Sequence, residues 1–216
     1  MAAAQPPIAA PQKPSPARVY AFIDGMNLFN WAKRCFEYDY PNYDIARLVN
    51  AVVALEADRQ LAGAFFCVGV PQEIDDAKRS RWWNKKLAAL GRSGVRVASR
   101  KLKRRELKIH LEGVVNFEHT VPRLVEKGID LKIGLELVKL ANERAFDVAV
   151  LFSQDGDLVE AVQEVRRIAR EQRRWIQLEC AYPIVAGIQS WPIKGTVPRQ
   201  ITKIMYDACI DPTYYG

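Results

Sequence analysis

Val19-Tyr20-Ala21-Phe22-Ile23-Asp24-Gly25-Met26-Asn27 is the stretch whose reading decides the fold. A short apolar run ends on a carboxylate and a glycine, the pattern of a buried strand that stops where a sharp turn opens a helix. Val148-Ala149-Val150-Leu151-Phe152 repeats the pattern and runs into Ser153-Gln154-Asp155-Gly156-Asp157. In a parallel sheet such strand ends line up along one edge, so acids far apart in sequence meet there. Each junction taken alone is also explained by an acid capping a helix N-terminus. Two junctions in one sheet go beyond capping, because gathered carboxylates repel one another unless a cation such as Mg2+ or Mn2+ neutralises them.

Working outward, Asn27 to Glu37 reads as a helix, and Asp44 as the N-cap of another from Ile45 to about Ala57. Leu61 to Val70 is continuously apolar, as in a strand covered on both faces, and Pro71 ends it. Residues 75–90 read as helix, Val95 to Ala98 as strand, and Leu102 to Val115 as an extended basic excursion. Ile129 to Asn142 and Leu158 to Arg170 read as helices, Phe146 to Phe152 and Trp175 to Ala181 as strands, the last taken as the final central one. Pro198 to Ile210 fits a helix or an edge element. Strands alternating with helices predict an α/β fold, a doubly wound and mostly parallel sheet with helices on both faces.

Lys127-Gly128-Ile129-Asp130 places a further acid at the start of the helix Ile129 to Asn142. Glu136 follows six residues later, about 240° around an ideal helix, so the two cannot both aim at one ion. Asp130 therefore ranks above Glu136, which is assigned a solvent-side or outer supporting position. Asn27, within the first turn of its helix, is placed to orient a carboxylate or contact a metal-bound water, and Ser153 to bond a phosphate or a neighbouring acid.

The 216 residues suffice for one domain with a substantial core. Residues 1–17 are rich in Ala, Gln and Pro and are expected to be a flexible tail, with residues 18–216 as a single domain. No apolar run approaches the roughly 20 residues of a membrane span. The start lacks a secretory-signal pattern, so a cytoplasmic location is expected and no membrane partner. Cys35, Cys67, Cys180 and Cys209 lack metal or redox spacing, and His110 and His119 do not complete a zinc site.

The net charge of +7 favours an anionic partner. It is concentrated: from Lys78 to Lys108 there are thirteen Lys and Arg against one acid, Glu106. Within this run Arg100, Lys101, Lys103, Arg104, Arg105 and Lys108 are placed to steer a phosphate backbone toward the acids. Trp82 and Trp83 lie in the same run and suit either stacking on bases or the core. Arg166, Arg167, Arg170, Arg173 and Arg174 lie near a helix C-terminus, where cations are favoured for structural reasons.

Three ordered segments, Ala21-Phe22-Ile23-Asp24-Gly25-Met26-Asn27, Glu126-Lys127-Gly128-Ile129-Asp130-Leu131-Lys132 and Leu151-Phe152-Ser153-Gln154-Asp155-Gly156-Asp157-Leu158, resemble the NYN domain of the PIN-like metal-dependent ribonucleases. The resemblance spans about Val19 to Ala181. It implies a Mg2+ or Mn2+ site with Asp24, Asp130, Asp155 and Asp157 as the acidic cluster and Asn27 as its polar neighbour. It departs at Glu136, where many relatives carry Asp. The implied activity is hydrolysis of RNA phosphodiesters, the RNA single-stranded or structured; a fold-retaining RNA- or protein-binding module without catalysis is the alternative. Whether the chain forms a homo-oligomer stays open.

Overall fold

Alternation along the buried strands explains the architecture. In the run opening the domain, Val19, Ala21 and Ile23 belong to one apolar core while Tyr20 and Phe22 belong to a second. A strand buried on both faces needs cover on both sides, so the sheet is the middle layer of three.

The computed structural model describes residues 10–40, 42–110 and 118–215. In chain order its elements are β1 (Ala17–Asp24), α1 (Gly25–Phe36), α2 (Ile45–Val53), β2 (Arg59–Val70), α3 (Ala77–Arg92), β3 (Arg96–Lys101), β4 (Lys103–His110) and β5 (Glu118–Val125). There follow α4 (Ile129–Asn142), β6 (Val148–Phe152), α5 (Val159–Glu171), β7 (Gln177–Pro183), β8 (Val197–Ile201) and α6 (Lys203–Asp207). Six strands form one sheet in the order β3-β2-β1-β6-β7-β8, every neighbouring pair parallel.

Helices α1, α2 and α3 cover one face through Leu28, Ala32, Leu48, Val49, Trp83 and Leu87. The other face is covered by α4 and α5 through Ile133, Leu137, Val162 and Val165. Winding outward from β1 to β3 and then back through β6 reverses the strand order between β1 and β6. A doubly wound sheet opens a crevice at such a reversal, beyond the carboxyl ends of the two strands. Ile23 pairs with Phe152 in register, so Asp24 and Ser153 are the residues that emerge there.

Several expectations shift. The Ile45 helix ends at Val53, not near Ala57, because the chain turns through Asp58 at φ +57° to enter β2. Trp175 to Ala181 is the last central strand as expected, its bounds shifted to Gln177–Pro183 as β7, and Val197–Ile201 adds a parallel edge strand beyond it. Pro198 to Ile210 thus holds both proposed elements, an edge strand and then the short α6. The basic excursion is β4, which pairs antiparallel with β5 in a separate two-stranded ribbon from Lys103↔Val125 to His110↔Glu118. Residues 111–115 of the excursion and 1–9 of the expected tail lie outside the described residues. The four cysteines are buried and free, and among the described residues no helix is long and apolar enough to cross a membrane.

Candidate functional site

Asp24 closes β1 and caps α1, its Oδ1 accepting the Asn27 backbone N–H at 2.9 Å. The capping role is therefore real, but it uses one oxygen of a side chain only 5% exposed. Burial raises the Asp24 carboxyl; the Asn27 N–H opposes this, and the charges of Glu126 and Asp155 add to it, bringing it to about 7. The cap thus stands among acids.

The loop after β6 is tied to this cap. The Asn27 side-chain Oδ1 accepts the Gln154 backbone N–H at 3.0 Å, which fixes the two strand ends across the crevice. Ser153 is buried, and its Oγ accepts the Asp155 backbone N–H at 3.1 Å. Asp155 in turn caps a short 3-10 turn, Gly156–Leu158, by accepting the Asp157 N–H at 3.0 Å. Gln154 Oε1 is buried and has no hydrogen-bond partner among the described residues.

Glu126, directly after β5, is a member that reading the residues did not assign, although it stands in the Glu126-Lys127-Gly128 segment. Its carboxylate accepts the Gly69 backbone N–H of β2. A Cβ at Gly69 would lie 2.5 Å from both Glu126 Oε1 and Leu102 Cδ2, so only glycine allows this approach. Burial raises the Glu126 carboxyl, against the Gly69 N–H and the charge of Arg79.

Asp130 lies in the first turn of α4 but is not its cap, which is Gly128 at φ +74°. Together with Asp157 it lines an open groove of about 820 Å³ between α4 and α5. The expected acids therefore fall into two sets, Asp24 with Asp155 and the added Glu126, and Asp130 with Asp157, Asp155 being joined to Asp157 by the turn. Among the described residues no three Asp, Glu, His or Cys side chains are gathered closely enough to hold a metal ion as they stand.

Glu136 is neither on the solvent side nor among these acids. It faces the sheet, 6% exposed, and receives Arg96 at 2.6 Å. The ion pair with Arg96 of β3 explains its charge without reference to a metal ion.

Cations border the acids. Burial, then Asp24 and Glu126, push the Cys67 thiol up to about 12, with Arg100 and Lys132 pulling the other way. Both therefore share the surroundings of Cys67 with the two acids, and a Cβ on Gly128 would be 3.4 Å from an Arg100 guanidinium nitrogen. Lys101, Lys103, Arg104 and Arg105 are exposed, and Arg104 is paired with Asp75 at 2.6 Å. Lys108 lies on β4, its side chain outside the described residues. Trp83 is core against Phe66 and Trp82 packs edge-on against Tyr215, so the stacking role considered for this pair falls to packing. In the second basic cluster Arg166 bonds the Gly195 carbonyl, Arg167 pairs with Glu164 and Glu171, and Arg174 bonds the Phe146 and Ala141 carbonyls.

The donors collected at the reversal of strand order are carboxylate oxygens, the ligand type of hard divalent cations, and the buried Asp24 carboxyl has acids where a structural carboxylate has a guanidinium. In donor type the residues suit a hard divalent cation, while their spread into two sets gathers no ready-made ligand cage among the described residues.

The family model described as NYN domain matches residues 18–171. No curated protein matches the chain. A solved structure of a protein of unknown function from Vibrio parahaemolyticus is similar at 15% sequence identity, with 90% of each chain covered and a TM-score of 0.44, a likeness too distant to carry an argument.

Proposed function

The chain belongs to the NYN domain family, with its nuclease-like fold, and we propose that it is a metal-dependent ribonuclease. The observation that carries this reading is Asp24: a carboxyl buried where the strand order reverses, whose acidic neighbours Glu126 and Asp155 bring no positive charge to it. Asp24, Asp130, Asp155 and Asp157 would hold Mg2+ or Mn2+, with Glu126 beside them. When bound, such a cation supplies positive charge to a phosphate and makes water a stronger nucleophile.

The remaining groups bind and orient. Asn27 keeps the Gln154 loop in register with Asp24, and Ser153 fixes the Asp155 backbone, so the acids keep their places as a substrate arrives. Arg100 and Lys132, which act on Cys67 together with Asp24 and Glu126, would offer positive charge for the phosphates flanking the cleaved bond. Lys101, Lys103 and Arg105 continue that charge along β3 and β4, a length suited to a polymer.

The test is incubation of labelled single-stranded RNA with purified protein in Mn2+, Mg2+ or EDTA, beside Asp155→Asn. Cleavage is expected with a cation, and none in EDTA or with the variant; cleavage that survives both changes overturns the assignment. A second reading, a module that binds RNA or protein and cleaves nothing, is favoured by the spread of the acids into two sets. Wild-type protein that retains RNA intact with either cation decides for that module.

A further inference from the structure

Beyond Pro183 the chain does not turn directly into β8. Residues 184–191 first stay at the carboxyl edge, where Ser190 Oγ donates to the Pro183 carbonyl at 3.2 Å. Gln154 fastens this loop to the candidate site. Its Nε2 donates to Ser190 Oγ at 2.7 Å and to the Trp191 carbonyl at 2.9 Å, while its backbone N–H is held by Asn27. Trp191 is thus one side-chain amide away from the residue between Ser153 and Asp155.

The Trp191 backbone is held there, and the side chain is 72% exposed. The other four tryptophans all reach the core, Trp83 buried in it and Trp31, Trp82 and Trp175 packed against it. A packing role therefore does not explain its position, and its attachment to Gln154 beside the candidate site sets it apart from other exposed apolar side chains. It is also firmly presented: Pro192 restricts the Trp191 backbone to extended conformations, and the next residue, Ile193, is anchored in the second core. With its backbone held, the indole has only its two side-chain torsions to lose when a ligand covers it. Lys194, exposed in the same loop, adds a cation for an anionic ligand.

We propose that Trp191 is a stacking platform for a base of single-stranded RNA bound across the carboxyl edge, so that the preferred substrate is unpaired at that nucleotide. The proposal rests on RNA being the ligand of this edge. An indole stacks on any base whose face is free, and in a duplex those faces are already covered by neighbouring pairs. Single strands are therefore distinguished from duplexes at Trp191, and the contact tolerates any sequence.

The test measures affinity in EDTA at low salt for a single-stranded RNA of about 12 nucleotides, within the range of such sites, and for a duplex of equal length. Wild type, Trp191→Ala and Trp191→Phe are compared, with thermal melting and light scattering as controls of fold and oligomeric state. Trp191→Ala is expected to weaken single-strand binding roughly 5- to 150-fold, Trp191→Phe to restore most of it, and duplex affinity to stay unchanged in both. Unaltered single-strand affinity in Trp191→Ala, equal loss on both RNAs, failure of phenylalanine to restore binding, or a changed oligomeric state would each overturn the proposal. Wild type that binds neither RNA overturns it together with the nuclease reading. Binding through Trp191 without cleavage in Mn2+ or Mg2+ leaves the stacking role standing and removes only the nuclease.

Discussion

Toward the amino end of the sheet Glu179 receives Arg59 at 3.0 Å and Arg199 at 2.8 Å, and Asp147 receives Arg18 at 2.9 Å. At the carboxyl end Asp24, as deeply buried as Asp147, has Glu126 and Asp155 as its charged neighbours. The consequence is written in their acidities. Burial would raise the Glu179 carboxyl, but hydrogen bonds from Arg199, Arg59 and Gln177 overcome it and bring it down to about 2, whereas Asp24 is pushed up to about 7. One end of the sheet thus satisfies its acids with guanidinium groups, and the other gathers Asp24, Glu126 and Asp155 without one among the charges that shift Asp24. Residue type does not separate structural acids from functional ones; the nearest cation does.

The sharpest way to break the contrast is to remove an acid from each end. Glu179→Ala leaves Arg59 and Arg199 with only Glu56 for a partner and is expected to cost about 3–5 kcal/mol. Asp155→Asn is expected to change stability by less than about 1 kcal/mol. Urea unfolding of both variants measures the difference, and equal losses would erase it.

Acid titration applies the same contrast to the wild type. The folded Glu179 carboxyl lies below its ordinary value of 4.5, so its contribution is complete above that value and is lost as pH falls from 4.5 toward about 2. The loss is on the order of 3 kcal/mol, read from unfolding curves across that window, and Glu179→Gln should flatten this part of the profile. An unchanged profile in the variant would remove Glu179 from the account of acid stability.

A smaller effect is expected from supplying a divalent cation. Mn2+ at a hundred times its dissociation constant should stabilise the wild type by about 2.7 kcal/mol, seen as a rise in melting temperature that Asp24→Asn lacks. An equal rise in both proteins would place the cation elsewhere.

The smallest concerns the ribbon, where Arg105 and Arg123 stand directly opposite each other and both are exposed. Like charges in that position destabilise a strand pair by a few tenths of a kcal/mol. Arg123→Thr should recover that amount in thermal melting and make RNA affinity less steeply dependent on salt. An unchanged salt slope would detach the ribbon from RNA binding.

How far these ends were legible in the sequence differs in the same way. Core-facing patterns were readable because burial imposes them locally: α4 spans Ile129–Asn142 as expected, and Asp44 caps α2 by accepting the Arg47 N–H at 3.0 Å. Asp24 and Asp155 were readable because a buried strand that stops on an acid is a local signal. β5 was not, since Glu118–Val125 pairs only with β4 in a two-stranded ribbon and belongs to neither strand set of the main sheet. Glu126 enters the site through Gly69, 57 residues away, and Glu136 leaves it through Arg96, 40 residues away. Neither distance nor partner is encoded in a spacing. Trp191 carries no local signal at all; its meaning comes from Gln154.

The central claim, that the acids of the carboxyl end work on RNA together with a bound cation, is tested most directly by one comparison. Labelled single-stranded RNA is incubated in Mn2+ with wild type and with Asp24→Asn, and both cleavage and binding are measured on the same samples. The expected result is cleavage by the wild type alone, abolished by EDTA, with RNA affinity and folding retained in the variant. Undiminished cleavage by folded Asp24→Asn would contradict it.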